Sequence, residues 1–318
     1  MDLLSKLLEA LAPRCYRTTG LRAPADFAIR FPRFDGLKVL FIEHGPFFCR
    51  PAPGADWIPL AAGDVLVLAR PAHYVFATNP ESPVQEASAT SYVLKDGLAD
   101  YGGDRAVVYA GKMAPDAAMA ELFFSSLPPC AVLCADAGAR RIGALMQAVH
   151  AENLAPEAPG AAFAVERLID LVMLEVLRAL AAHPESGQTG VLRAMTVPGL
   201  ARALTALHNA PQRPWTLAEL AQCANMSRTR FAERFRRETG ATPIDYLMRW
   251  RVRLAVQRLR DTEDPVKRIA LELGFGSSTA FGAAFRRIEG VAPLESRARS
   301  RSEAQLRLEG FHETYRDF

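Results

Sequence analysis

Three cysteines in this 318-residue chain stand where thiol redox chemistry could occur. Cys130 and Cys134 are four residues apart, and Cys15 follows the first apolar segment. An oxidant that reached them could produce a disulfide or a sulfenic acid. The alternative is that PPCAVLCAD is an apolar strand or turn whose small thiols simply pack, as free cysteines commonly do. Both interpretations stay open at this stage.

Glu43, His44 and His73 suggest metal binding as a second kind of chemistry. Glu43 and His44 are adjacent and therefore point to opposite faces of a strand. A catalytic metal site needs about three convergent protein ligands, and His73 stands alone. We therefore expect no metal, no cofactor and no catalysis on a substrate. His73 is expected to be a strand histidine bonded to a neighbour.

Aromatic and basic residues near His73 offer a third kind of site, a pocket for a small molecule. The candidates are Trp57, Arg70, Tyr74 and Phe76. Pockets are lined mostly by apolar and aromatic side chains with a few polar groups. The alternative is that these residues only fill the interior of a β-domain.

Paired arginines end two copies of one short pattern. Residues 217–240 are LAELAQCANMSRTRFAERFRRETG, and residues 266–290 are VKRIALELGFGSSTAFGAAFRRIEG. Each copy predicts a small apolar helix, a tight turn and a second helix that starts at a serine. Ala221 and Ala270 are small enough to let the two helices cross closely, as a helix-turn-helix requires. Two such units predict two helices that enter successive major grooves of DNA.

Charge is distributed unevenly along the chain. Residues 1–190 carry a net charge of −5, whereas residues 191–318 carry +8, and 21 of the 22 cations in the second part are arginines. The guanidinium group donates paired hydrogen bonds to phosphates and to base edges. The basic part is therefore the candidate polyanion binder.

The elements that position these residues change in type along the chain. Short apolar runs from about residue 27 to residue 109 predict an antiparallel sandwich or small barrel. Residues 138–154 and 161–182 show helical spacing. A broad apolar stripe on the second helix is either internal or the seam of a homodimer; it consists of Ile169, Val172, Met173, Val176, Leu177 and Leu180. Residues 183–190 are a polar linker.

A helix over residues 244–260 is predicted to join the two repeated units. Its expected buried face comprises Tyr246, Leu247, Trp250, Leu254, Ala255 and Leu259. Its expected solvent face comprises Arg249, Arg251, Arg253, Arg258 and Arg260. About 17 residues at 1.5 Å each span roughly 25 Å, enough to set two recognition helices near one DNA turn apart.

The first residues, MDLLSKLLEALAPR, predict a short amphipathic helix and lack the basic start of a signal peptide. We identify no uncharged apolar segment near the roughly 20 residues that span a bilayer. Five cysteines are an odd number, which favours free thiols in a reducing compartment. We expect a cytoplasmic protein that does not associate with a membrane.

Residues 198–299 resemble the AraC/XylS transcriptional regulators through MSRTRFAERFRRETG, PVKRIALELGF and the closing GVAP. GDVLVLARPAHYVF, residues 63–76, resembles the second half-motif of cupin barrels. Residues 1–190 resemble the sensor of the subfamily that includes reactive-chlorine-responsive activators. The resemblance implies an α+β protein with an N-terminal antiparallel β cupin-like barrel (1–137), a helical dimerisation segment and linker (138–190) and an all-α double helix-turn-helix domain (191–318).

The resemblance also implies which residues face DNA. The candidates in the first unit are Ser227, Arg228, Thr229, Arg230, Glu233, Arg236 and Arg237. Those in the second unit are Ser277, Ser278, Thr279, Arg286 and Arg287. Gly282 and Ala283 replace the long polar side chains found in relatives, so the second unit is expected mainly to grip the backbone. Ser296 replaces an aromatic residue of the closing motif, which affects how the last helix packs.

We therefore expect a transcription regulator that binds double-stranded DNA and forms a homodimer through residues 161–182. It would sense an unknown small molecule or oxidant, and it would contact RNA polymerase if it is an activator. One alternative is a regulator that senses redox state through its cysteines. Another is a cupin enzyme whose helical part is an interaction module.

Overall fold

The computed structural model describes residues 3–5, 8, 15–87, 92–114, 124, 127–182 and 190–299. These residues form two compact units, a β-rich one built around 15–114 and 127–182 and a helical one built around 190–299. Most of the predicted N-terminal helix lies outside the described residues, although residues 3–5 and 8 are helical. The predicted linker also lies outside them, apart from Gly190. Within the described parts, every helix is too short or too polar to cross a membrane.

The strands of the β-rich unit are short and rich in apolar residues. They are β1 (Cys15–Ala23), β2 (Ala28–Phe31), β3 (Leu37–His44), β4 (Phe47–Arg50), β5 (Ile58–Leu60), β6 (Val65–Ala69), β7 (Tyr74–Ala77), β8 (Gln85–Glu86), β9 (Val93–Lys95), β10 (Leu98–Asp100), β11 (Ala106–Ala114) and β12 (Cys130–Leu133). The sheet region therefore starts earlier and ends later than the apolar runs predict.

Two sheets enclose a common apolar interior. The larger sheet has the order β12-β6-β3-β11-β1-β10-β9, and the smaller has the order β5-β4-β7-β2-β8. All strand pairs are antiparallel except β1 with β10 and β2 with β8. Alternation along the strands points Leu40, Ile42, Val108 and Ala110 into the interior. The α+β class and the N-terminal β-domain are confirmed.

Two helices cover the outer face of the larger sheet. Helix α1 (Ala137–Leu154) starts at Asp136, whose carboxylate accepts a hydrogen bond from the Ala139 amide at 2.8 Å. Gly143 lets α1 approach the sheet, because a methyl group at this position would overlap the Phe41 ring. Helix α2 (Ala161–Ala182) packs against α1.

The broad apolar stripe of α2 is internal, so its interpretation as a dimer seam is wrong. All six of its side chains are buried within the chain, because α2 lies on α1. The outward face of α2 instead exposes Phe163 (69 %) and Leu171 (46 %). Any dimer contact through this helix must use that face.

The helical unit consists of short helices joined by tight turns. They are α3 (Val191–Thr196), α4 (Pro198–Asn209), α5 (Leu217–Cys223), α6 (Arg228–Thr239), α7 (Pro243–Asp261), α8 (Val266–Glu272) and α9 (Ser278–Glu289). Residues 293–299 are also helical. The pairs α5–α6 and α8–α9 are the two helix-turn-helix units that the repeated pattern predicts.

Helix α7 contributes to the apolar cores of both units. In its first half, Tyr246 packs against Phe235, with ring centroids 5.6 Å apart. In its second half, Val252 and Val256 belong to the cluster that contains Phe281 and two further aromatic rings, those of Phe275 and Phe285. One helix therefore supplies part of each core.

The turn of the second unit depends on Gly274. Its φ of +81° favours glycine, and a side chain there would overlap the Gln212 carbonyl in the loop before α5. Gly290, which ends α9, has a similar φ of +75° but has open space around it. A comparison of substitutions at the two glycines therefore distinguishes the cost of backbone strain from the cost of steric overlap.

We expect Gly274→Ala to lower the free energy of unfolding of the helical unit by about 3 kcal/mol or more, through strain plus overlap. The matched change Gly290→Ala should lower it by about 1–2 kcal/mol, through strain alone. Urea unfolding of the full chain measures both. Equal losses would show that the contact with Gln212 contributes nothing.

Candidate nucleic-acid interface

Helix α6 has one buried face and one polar face. Phe231, Phe235 and Thr239 recur every four residues and are buried. The Ser227 hydroxyl accepts a hydrogen bond from the Arg230 amide at 3.4 Å, and Gly240 ends the helix with a φ of +76°. This local sequence fixes the start, the end and the rotation of the helix.

The solvent face of α6 carries the residues that the sequence analysis assigned to the first unit. All seven are exposed: Ser227, Arg228, Thr229, Arg230, Glu233, Arg236 and Arg237. Arg237 pairs with Glu238 at 3.0 Å. Within the described residues, no carboxylate pairs with Arg228, Arg230 or Arg236. Their guanidinium groups are thus available to an anionic partner.

Helix α9 repeats this arrangement with fewer polar groups. Phe281 and Phe285 are buried, and the Ser277 hydroxyl accepts from the Ala280 amide at 3.1 Å. Its exposed residues include Ser277, Ser278, Thr279, Ala283, Arg286 and Arg287. A side chain at Gly282 would meet no atom within 4 Å. The exposed face of α9 has only small residues in its middle and arginines at its C-terminal end.

The supporting helices hold these two faces in place. Thr216 and Glu219 form a capping box at the start of α5, and hydrogen bonds from Thr216 lower the pKa of Glu219 to about 2. Each turn uses a left-handed residue, Asn225 (φ +56°) and Gly274. The second turn is one residue longer than the first, with Gly276 as the extra residue.

Arg251 was predicted to lie on the solvent face of α7, and this prediction is wrong. The residue is only 7 % exposed, and its guanidinium donates to three carbonyl oxygens. These belong to Pro211 (2.6 Å), Arg213 (2.8 Å) and Gly274 (2.9 Å). Burial lowers the pKa of Arg251 from its usual value. The side chain joins the loop before the first unit to the turn of the second.

Arg253 is also buried rather than exposed, with no accessible surface. The reason is the same for both arginines: α7 lies between two packed bodies, so more than one face of it is covered. Leu254, expected in the buried face, is only partly buried. The amphipathic pattern of a helix does not predict burial when neighbours pack on several sides.

The segment after α9, residues 293–299, packs in place although Ser296 replaces the aromatic residue of the closing motif. Ser296 is buried, and the neighbouring Arg297 donates to the carbonyl oxygens of Leu259 (3.2 Å) and Asp264 (2.5 Å). These bonds attach residues 293–299 to the end of α7. Polar contacts of Arg297 therefore fix this segment.

Comparisons with known proteins agree with both units. A family model described as Cupin matches residues 2–182, and one described as Helix-turn-helix domain matches residues 220–299. A putative AraC-like transcription regulator from Streptomyces antibioticus is 31 % identical over 93 % of this chain and 98 % of its own. The chain belongs to the AraC-like transcription regulators. This assignment confirms the family predicted from the sequence.

Two further AraC-like relatives of this regulator have more specific names. The HTH-type transcriptional regulator AlkR of Acinetobacter baylyi is 25 % identical over 94 % of this chain and 100 % of its own. The RCS-specific HTH-type transcriptional activator RclR of Escherichia coli is 34 % identical over 36 % of this chain and 40 % of its own.

In the β-rich unit of this AraC-like regulator, the predicted pocket residues do not come together. Tyr74 points into the interior, whereas Trp57 packs on the opposite face of the smaller sheet against Ala28 and Val75. Arg70 pairs with Asp35 at 3.3 Å. These positions do not form one binding site.

His73 was expected to lie in a strand, and this prediction is wrong. It lies in the turn before β7, where it is exposed. It borders an open groove of about 490 Å³ together with Arg30, Arg50 and Glu86. Glu43 accepts a hydrogen bond from Gln147 on α1 at 2.6 Å. Among the described residues, no three His, Cys, Asp or Glu side chains are grouped for a metal ion.

The cysteines of this AraC-like regulator differ in environment. Cys130 lies in β12, where burial raises the pKa of its thiol to about 11, and Cys134 is exposed just after this strand. Cys15 lies in β1, and its side chain is outside the described part of the chain. A thiol with a raised pKa is mostly protonated at pH 7 and reacts slowly.

Sequence reasoning missed Lys38. Its ammonium group is 4.3 Å from the centre of the Phe31 ring and hydrogen-bonded to the Tyr74 hydroxyl. The contact spans the interior from the larger sheet to the smaller one. Alternation with Leu40 and Ile42 along β3 was the signal that could have placed this lysine inside.

We expect Arg251→Lys to lower the free energy of unfolding by about 2–4 kcal/mol, because one ammonium group cannot serve all three carbonyls that the guanidinium satisfies. Arg249→Lys is the matched control, since Arg249 makes a partly exposed ion pair with Asp245 at 2.9 Å. It should cost less than about 1 kcal/mol. Equal values in urea unfolding would contradict the role of Arg251.

Proposed function

We propose that this regulator binds double-stranded DNA by placing α6 and α9 in two major-groove segments. One observation carries the proposal: each helix projects an exposed face that includes arginines from a helix-turn-helix unit, and α7 and Arg251 join the two units. Arg228, Arg230 and Arg236 have no carboxylate partner among the described residues. Unpaired guanidinium groups favour phosphate contacts with release of counterions.

In this proposal, α6 makes most of the contacts with base edges. Arg230 suits a guanine edge, and Glu233 can accept a hydrogen bond from a cytosine amino group. Helix α9 contributes serine and threonine hydroxyls at its start and Arg286 and Arg287 at its end. We propose that α9 mainly grips the backbone and senses DNA shape.

The test is selection of bound sequences from a random DNA pool with the full chain at 50 mM and 200 mM salt. We expect a motif with two sites about one turn apart, and affinity that falls at least about a hundredfold with salt. Arg230→Gln should weaken binding by about 1–3 kcal/mol and relax one position. Arg33→Gln, at an exposed position between β2 and β3, is the control. Salt-sensitive binding without an enriched motif would reject sequence recognition.

A separate prediction concerns the small residues in the middle of α9, Gly282 and Ala283. Ala283→Arg should strengthen binding several-fold or change the preference at the second site, because an exposed guanidinium there would reach DNA. Ala283→Glu should weaken binding through repulsion from phosphate. If neither change alters affinity across the selected library, α9 does not face DNA.

We also propose that the chain forms a homodimer. We retain as a proposal the division into a sensor domain (1–137), a helical dimerisation segment with linker (138–190) and a DNA-binding domain (191–318). The exposed face of α2, with Phe163 and Leu171, is the contact surface within residues 161–182. Exposed large apolar side chains on one helix face favour association.

Phe163→Glu should convert the dimer to monomer at micromolar concentration, since it places a charge in an apolar contact. Leu154→Glu is the control, because Leu154 is similarly exposed (52 %) but ends α1. Light scattering after gel filtration measures the mass. A dimer that survives Phe163→Glu would exclude this face.

The β-rich unit is proposed to sense a signal in the cytoplasm and to change how the DNA-binding unit is presented, without chemistry on a substrate. RNA polymerase is a partner if the effect is activation. An oxidant such as a reactive chlorine species is one candidate signal, supported by the 34 % identity with RclR over part of the chain. Counting free thiols before and after mild oxidant tests it, and an unchanged count would exclude a thiol switch.

A further inference from the structure

Two lysines occupy facing positions on the inner side of the larger sheet. Lys38 on β3 and Lys112 on β11 are direct partners in the antiparallel register. Directly opposite residues point to the same side of a sheet, and Leu40, Ile42, Val108 and Ala110 of these strands point into the interior. Two lysine side chains therefore lie side by side on the inner face of the larger sheet, where the charge of each opposes ionisation of the other.

The surroundings of Lys38 are apolar, aromatic and thiol-bearing. The Phe31 and Tyr74 rings stack on each other with centroids 5.1 Å apart, and the Lys38 nitrogen lies 4.3 Å and 5.1 Å from their centres. The titratable or charged groups that face it are Lys112, Cys49, Cys130 and Tyr74. Arg17 occupies the register position next to Lys112 on β1, with its side chain outside the described part.

Burial and the charge of Lys112 lower the pKa of Lys38 to about 7. A large share of the Lys38 amines is therefore neutral and nucleophilic near pH 7. Burial raises the pKa of Tyr74 well above its usual value, so its hydroxyl keeps its proton. A lysine made nucleophilic by an apolar pocket and a neighbouring cation is a known route to imine formation.

We propose that Lys38, flanked by Lys112 and Tyr74, is a receptor site that captures a small aldehyde as a reversible imine. The Lys38 nitrogen attacks the carbonyl carbon, and the Tyr74 hydroxyl relays one proton from that nitrogen to the carbonyl oxygen, donating its own proton as it accepts the other. The resulting carbinolamine then loses its hydroxyl group together with the second proton of the nitrogen as water, and the C=N bond forms. The proposal rests on the proposed function, because it names the chemical class of the signal.

The experiment treats the full chain with butanal and cyanoborohydride, which fixes imines, and locates the added mass by peptide mass spectrometry. Lys95, exposed on β9, is the internal reference. We expect Lys38 to be modified at least tenfold faster than Lys95, with a rate that rises as pH passes through about 7. Equal rates at the two lysines would overturn the proposal, and this comparison needs no variant.

Variants separate the roles of the neighbouring groups. Lys112→Met should raise the pH at which Lys38 reacts, and Tyr74→Phe should slow Lys38 several-fold while leaving Lys95 unchanged. Lys38→Arg should lose the added mass at this site, and Lys95→Arg should leave it intact. A pH profile that Lys112→Met does not move would overturn the lysine pair. Slower modification of Lys38, but not of Lys95, in the presence of butyrate would indicate an anion site instead.

DNA binding provides the final check. Modified protein should differ several-fold from untreated protein in affinity for the selected DNA, whereas Lys38→Arg treated in the same way should not change. Modification at Lys38 without a change in affinity would overturn the aldehyde as signal, although untreated protein would still bind DNA. Failure of untreated protein to bind any DNA would instead overturn the proposed function.

Discussion

The hydrogen bonds of the buried Arg251 guanidinium constrain the whole helical unit. Three carbonyl oxygens from two loops converge on one side chain, and none of the three lies in a helix that could satisfy it internally. The loop before α5 and the turn before α9 are thereby joined, with Gly274 close to Gln212. This contact and the length of α7 set the separation of helices α6 and α9.

The local parts of the fold follow from short-range sequence signals. Ser227 and Ser277 start the two exposed helices, Gly240 and Gly290 end them, and phenylalanines four residues apart orient them. Each signal acts within one helix turn, so it can be inferred without knowing the rest of the molecule. The faces of α6 and α9 were therefore predictable, including the small residues in the middle of α9.

Contacts between distant segments were not predictable in this way. Arg251 is charged and has the spacing of a solvent face, yet its partners lie 23 to 40 residues away. Trp57 and Tyr74 lie in or near the same sequence motif, residues 63–76, but their side chains are on opposite faces of the smaller sheet. Lys38 and Tyr74 meet only because two sheets close over one interior. In each case the pairing depends on tertiary packing that periodicity does not encode.

The continuous helix between the two units has a geometric consequence for how this architecture can diverge. Each residue of an α-helix turns the chain by about 100° and advances it by about 1.5 Å. A single insertion within α7 would swing the second unit to another side of the first and break the Arg251 contacts. Changes in helix length are therefore tolerable only near whole turns, so the continuous helix α7 keeps the distance between α6 and α9 nearly invariant among proteins that share it.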